Sequence, residues 1–393
     1  MRLRFGRSFA AGFALLAAAA GILSACHRDR RTPLVLYSPH GRDLLGLAET
    51  EFERAHPDVD VRWLDMGSQE AYDRVHSEKA NPQADVWYGG PATIFARAGR
   101  EGLLAPYRPA WADHVAPESR GTGDLYFGVY RTPAMPVYNS RLVAAADAPR
   151  EWDDLLEPKW TGKILIRDPL ASGTMRAVWG YVLSKSVRET GSPAAGFAWL
   201  ARLDAQTKEY VFNPILMYEK LVRGEGLITI WDLPDTLLER QRGSPLQYVF
   251  PKSGTPVIVD AVALVAGARH PDLARQFIDF VGEKSMQRLA AEKTFRLPAR
   301  TDLGDELPAW ARDVDQQMVP AEMDWPLLEK EGPAWMTTWD RTIRGKGASA
   351  YKETRPLSLR EPTSGGGPSA AGNAGCRPAV SGVGVKGVPQ PPE

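Results

Sequence analysis

Two cysteines in 393 residues, Cys26 and Cys376, cannot supply a disulfide framework, so the fold must be held by its core. Charge of one sign is missing too. Lys and Arg number 48 against 48 Asp and Glu, and no run of five like charges occurs. A protein whose main work is nucleic-acid binding carries a basic excess or a basic stripe, and that class is excluded. Catalytic signatures are also absent: there is no G-x-x-x-x-G-K-[ST], no G-x-S-x-G and no H-E-x-x-H. The six histidines (27, 40, 56, 76, 114 and 270) are scattered. What remains is 44% hydrophobic and 24% charged, an ordinary folded composition, in a chain long enough for two domains.

Both ends of the chain stand outside that fold. Arg2, Arg4 and Arg7 precede an apolar stretch from Phe9 to Leu23 and then Leu23-Ser24-Ala25-Cys26, the pattern of a secretory leader. Leu-Ser-Ala-Cys resembles a bacterial lipobox. On that reading residues 1–25 are cleaved, Cys26 is acylated, and 26–33 form a linker to the lipid anchor. The apolar run is shorter than the ~20 residues that a spanning helix needs. Cleavage removes three arginines and no acid, leaving a mildly acidic mature chain. At the other end, residues 351–393 hold 8 Gly and 7 Pro and, apart from Tyr351, no aromatic. So little apolar mass cannot offset ordering entropy, and a disordered tail is expected.

Between the ends, short strands alternate with helices. Residues 34–37 read as a strand, and helical spacing follows at Leu44, Leu45, Ala48 and Phe52. Val59, Val61 and Trp63 alternate as a second strand, a helix opens at Ser68, and 85–88 form a third strand closed by Gly89-Gly90. A helix over 91–100 completes a βαβαβα run, which indicates a parallel sheet covered on both faces. Residues 126–138 read as extended, 163–166 as a strand, and helices follow to about 185, over 194–203 and over 215–223. Strands at 226–231 and 257–265 and helices at 271–281 and 284–292 complete an α/β architecture of two lobes.

Ligands of parallel sheets bind where strands end and helices begin, because helix amides converge there. Three turns have suitable composition: Ser38-Pro39-His40-Gly41, Gly67-Ser68 and Ser172-Gly173-Thr174. Hydroxyl donors and unhindered backbone suit a carboxylate, phosphate or phosphonate. Ser68 and Ser172 read equally as helix N-caps. Trp231-Asp232 ends a strand and offers an aromatic face beside a carboxylate for a cationic or sugar group. Its alternative is a core tryptophan with a capping aspartate. Gly89 and Gly90, after Trp87-Tyr88, offer a similar surface.

The lipobox, LVLYSPHG, MGSQEAYDRVHSEKANPQADVWYGGP, EGLLAPY, EWDDLLEPKWTGKILIRDPLASGT and RGEGLITIW together resemble a bacterial extracellular solute-binding protein of the ferric-iron/sugar-phosphate type, over about residues 34–345. The resemblance implies a type II periplasmic-binding-protein fold, with lobe one at 33–130 plus 257–345 and lobe two at 131–256. It implies a small-molecule solute, an ABC permease as partner, a periplasmic or cell-surface location, no cofactor and no enzyme activity. Iron-binding members carry adjacent tyrosines with a histidine and a glutamate. Here Ile230-Trp231-Asp232 stands near the tyrosine pair's place and Gly89-Gly90 near the acid's, so an organophosphate, phosphonate or related anion is expected rather than Fe³⁺. Two other readings remain: a secreted hydrolase, whose only assembled pair is His40 with Ser68 or Ser172, and a lipoprotein that binds another protein.

Overall fold

A computed structural model describes residues 31–346. The leader, Cys26, Cys376 and the 351–393 tail lie outside the described residues. The expected linker is shorter than 26–33, because strand β1 already begins at Thr32 and Arg31 is tied to Glu53 at 2.8 Å and Asp60 at 3.0 Å.

β1 (Thr32–Ser38) pairs in parallel with β2 (Val59–Asp65) on one side and β3 (Val86–Pro91) on the other. All six residues of β3 are buried, because helices cover both faces of this sheet. Those helices are Gly41–Ala55, Ser68–Ser77 and Ala92–Arg100. Each lays an apolar stripe on the sheet; Leu44, Leu45, Ala48 and Phe52 form the first.

After the short β4 (Leu104–Ala105), the 13-residue β5 (Phe127–Asn139) takes part in two sheets. Next come β6 (Ile164–Arg167), β7 (Thr207–Val211), β8 (Ile228–Asp232), β9 (Leu246–Tyr248), β10 (Val257–Val265) and β11 (Leu297–Pro298). The strand order is β2-β1-β3-β10-β5-β8-β6-β7. β5 pairs antiparallel with β10 up to Pro133, opposite Val257, and with β8 from Ala134, opposite Asp232. One continuous strand therefore leaves the first lobe and enters the second, and β10 carries the chain back.

Two apolar clusters occupy the two faces of the first sheet. A third fills the second lobe around Met135, Ile164, Trp179 and Leu200. This last cluster corrects the expectation that 257–345 stays in lobe one. The helices Ala309–Gln317 and Trp325–Thr342 contribute Val314, Leu328, Trp335, Met336 and Trp339 to it. Trp339 meets Trp179 edge-on at 5.8 Å, so the end of the described chain belongs to the second lobe's core. The helix Trp325–Thr342 also packs against Ala92–Arg100 of the first lobe, tying the two together. Among the described residues no helix is long and apolar enough to cross a membrane.

Candidate solute site between the lobes

The carboxyl ends of both sheets' strands face one another. β1, β2 and β3 end at Ser38, Asp65 and Pro91, and β6, β7 and β8 at Arg167, Val211 and Asp232. Close contacts between glycines and the opposite lobe show the cleft closed. A Cβ on Gly67 would lie 2.9 Å from the Ala171 carbonyl oxygen, and one on Gly173 would lie 2.6 Å from Pro91 Cδ and 2.8 Å from Ser68 Oγ. A Cβ on Gly90 would sit 3.4 Å from the same hydroxyl. Gly67, Ser68, Gly90 and Gly173, singled out above from composition, thus converge on one seam. Thr174 occupies the first turn of the helix Gly173–Thr190, whose leading amides have no intrahelical acceptor. Ser172 is the cap: its Oγ accepts from the Met175 amide at 3.2 Å.

Two arginines missed in the sequence reading flank this turn. Arg167 ends β6 and is 6% exposed; its Nη2 lies 3.9 Å from the position of a Cβ on Gly67. Arg176 follows one turn into the helix, donating to the Leu170 carbonyl at 2.7 Å, while its buried Nε has no acceptor. Neither guanidinium has a carboxylate within ion-pair distance among the described residues. Burial pulls both below the ordinary arginine pKa; Asp168 offsets this in part at Arg167, and Asp73 in part at Arg176. Asp168 is itself paired with Arg344 at 2.6 Å. Cations withdrawn from water without a counter-charge are costly, and an anion between the lobes would relieve that cost. A guanidinium directly after a buried aliphatic run, just before a candidate turn, is the sequence signal that marks Arg167.

The other half of the cleft is acidic. Gly89 and Gly90 have φ of +103° and +107°, a region that favours glycine. A Cβ on Gly89 would run into His40 Nε2. The His40 ring packs edge-on against Tyr88 and Tyr130 at 5.1 and 5.6 Å. Its carbonyl accepts from Arg296 Nη2 at 2.9 Å. Around Arg296 stand Asp232, Asp235 at 3.6 Å, and Asp260, which accepts from Thr132 and the Gly90 amide. Burial raises the pKa of Asp232 and Asp260.

This arrangement corrects two expectations. The turn Ser38–Gly41 is not an open anion site. Ser38 Oγ is fully buried and accepts from the His40 amide at 3.2 Å, and the Gly41 amide already donates to Asp65. Nor does Trp231-Asp232 offer a free face. Asp232 caps the helix Leu233–Gln241 by accepting from the Asp235 amide at 3.0 Å, and the Trp231 indole donates to Asp235 at 3.2 Å. Arg296 and Asp260 come from segments remote in sequence and left no local signal.

Burial, then Arg296, holds the His40 pKa well below its ordinary 6.5, so the folded protein keeps this ring neutral. The unfolded chain protonates first as pH falls. The stability contributed by neutral His40 is therefore fully present above about pH 6.5 and lost below it, at up to about 1.4 kcal/mol per pH unit. The raised Asp232 and Asp260 act oppositely, contributing stability that is lost as pH rises through their folded values. The urea midpoint should be lower at pH 5 than at pH 7 in the parent protein, and this drop should be smaller in His40→Gln. An equal loss in both would show that His40 is not the source.

Neither Ser68 nor Ser172 hydrogen-bonds to His40, so the hydrolase pair is not assembled. Among the described residues no three His, Cys, Asp or Glu side chains group as a metal site.

The sequence matches the family described as bacterial extracellular solute-binding protein over residues 48–317. It is 27% identical, over 84% of this chain and 91% of the relative, to a Sinorhizobium fredii protein named as an ABC transporter periplasmic-binding protein. It is also 27% identical, over 62% of this chain and 71% of the relative, to a Salmonella typhimurium periplasmic protein named for binding 2-aminoethylphosphonate. Among solved structures, the periplasmic binding protein AfuA from Actinobacillus pleuropneumoniae, with fructose-6-phosphate bound, superposes with a TM-score of 0.69 at 29% identity. That match covers 80% of this chain and 99% of AfuA. With its two-lobed fold and a closed cleft between strand ends, the chain belongs to the bacterial extracellular solute-binding proteins.

Proposed function

We propose that this protein is the substrate receptor of an ABC importer for a small organic anion of the organophosphate or phosphonate class, and that it captures and delivers its solute without chemical turnover. The observation that carries the reading is the pair Arg167, buried, and Arg176, half-buried, both free of ion pairs among the described residues and flanking the first turn of Gly173–Thr190 opposite Gly67-Ser68. An anionic group there accepts from helix amides, hydroxyls and a guanidinium at once. The carboxylates around Arg296 would repel a second anionic group and accept from ammonium or hydroxyl donors, which suits a solute with one anionic end. The relatives named for 2-aminoethylphosphonate and crystallised with fructose-6-phosphate carry solutes of that form. A ferric-iron receptor is the second reading within the family, and the lack of any two adjacent tyrosines, with Ile230-Trp231-Asp232 standing near their place, weighs against it. Cys26 would tether the receptor to a membrane surface beside its permease.

A thermal-shift panel tests this. A solute at 100 times its dissociation constant adds ~2.7 kcal/mol of stability. Phosphate esters or phosphonates should raise the melting temperature, and a rise with Fe³⁺ alone would overturn the reading.

A further inference from the structure

Two ion pairs join the lobes on opposite sides of the first sheet. Arg242 follows the helix Leu233–Gln241 of the second lobe, and its Nη2 donates to both carboxylate oxygens of Asp43 at 2.7 Å. Asp43 stands in the first turn of Gly41–Ala55, in the first lobe. Arg100, in the last turn of Ala92–Arg100 of the first lobe, pairs with Glu329 of the helix Trp325–Thr342, whose core contacts are in the second lobe. Leu44 and Leu45 of Gly41–Ala55 belong to one apolar cluster of the first sheet, and Phe95 and Ala98 of Ala92–Arg100 to the other. The pairs therefore brace the closed lobes from both faces.

Local structure holds both partners of the first pair in place. A helix N-terminus favours the Asp43 carboxylate, and Glu239 accepts from Arg242 Nη1 at 2.9 Å. Side chains already held lose less freedom when they meet.

We propose that these pairs form an electrostatic latch, made only with the lobes together, that keeps part of the unliganded protein closed at low ionic strength and yields as salt rises. Opening turns one lobe against the other about β5 and β10 and parts charges that stand on different lobes. Glu329 is half-buried and the other three residues are exposed, so dissolved salt screens them. The screening length falls from about 30 Å at 0.01 M salt to about 3 Å at 1 M. Exposed pairs are individually weak, and each should change the ratio of closed to open protein by about 1.5- to 5-fold. The latch does not depend on the chemistry of the solute, so it stands or falls separately from the anion reading.

The test is small-angle scattering of the unliganded protein between 0.01 M and 1 M NaCl. The radius of gyration of the parent protein should rise with salt. At 0.01 M, Asp43→Asn and Arg242→Gln should each be more open than the parent, and the two together no more open than either alone. Asp43→Asn with Glu329→Gln, which breaks both pairs, should lose most of the salt response while its urea midpoint stays near that of the parent. A radius that stays constant or falls as salt rises would overturn the proposal. Additive effects of Asp43→Asn and Arg242→Gln would also overturn it, since each charge would then act only on its own helix end.

Discussion

Replacing Arg167 with leucine should weaken binding of the anionic solute about 10- to 100-fold while leaving the unliganded protein at least as stable. Both halves follow from one fact: the guanidinium is 6% exposed and has no carboxylate partner. A hydrogen bond to a charged group contributes about 1.5–3 kcal/mol, and 1.4 kcal/mol is tenfold in affinity. Removing an unpaired buried charge breaks no ion pair, and an apolar side chain of similar reach is often neutral or stabilising. Leucine gives up two weaker contacts of the guanidinium, over the Phe212 ring at 5.3 Å and to the Val211 carbonyl at 3.4 Å. Titration calorimetry gives the affinity and a urea melt gives the stability. A large loss of stability with unchanged affinity would make Arg167 a structural residue. Arg167→Lys should recover part of the affinity, because charge is kept while the planar fork is lost.

Gly173→Ala should cost a comparable 10- to 100-fold in affinity by another route. The added methyl would meet Pro91 Cδ at 2.6 Å and Ser68 Oγ at 2.8 Å, both across the cleft. Overpacking of this kind costs about 1–3 kcal/mol, and only the closed form incurs it. Gly173 has no positive φ, so alanine is free of backbone strain and the open protein should melt unchanged. Small-angle scattering with saturating solute should then report a more open particle than the parent protein. Gly89→Ala makes a useful contrast. Its φ of +103° and the clash with His40 lie within one lobe, so that variant should lose stability whether or not solute is present.

Much of this geometry was legible from local pattern, and the failures have physical causes. The β-branched run Val257–Val265 announced β10, and 271–281 showed a clean apolar stripe. The turns at Gly67-Ser68 and Ser172-Gly173-Thr174, read from sequence as anion-binding turns or helix caps, lie where the lobes touch, and Gly67 and Gly173 leave room for that approach. The helix Trp325–Thr342 was not visible, since Gly332 and Pro333 interrupt its interior and both residues disfavour helix. Its partners in the second lobe's core make it helical despite them. The turn Ser38–Gly41 had the right composition for an anion but the wrong neighbour. Asp65, at the end of a different strand, takes the Gly41 amide first. Arg296, 256 residues from His40 in sequence, is placed by tertiary packing alone.

The most direct test of the central claim is a pair of titrations in which each phosphorus-bearing compound is set against its neutral or phosphorus-free counterpart. Fructose 6-phosphate should be compared with fructose, and 2-aminoethylphosphonate with ethanolamine. If the cleft is built around an anion, a phosphorus-bearing member of a pair should bind saturably and its counterpart at least about 100-fold more weakly, the equivalent of two charge-assisted hydrogen bonds. Equal affinities within a pair, or saturable binding of Fe³⁺ with none of these four compounds, would contradict the account.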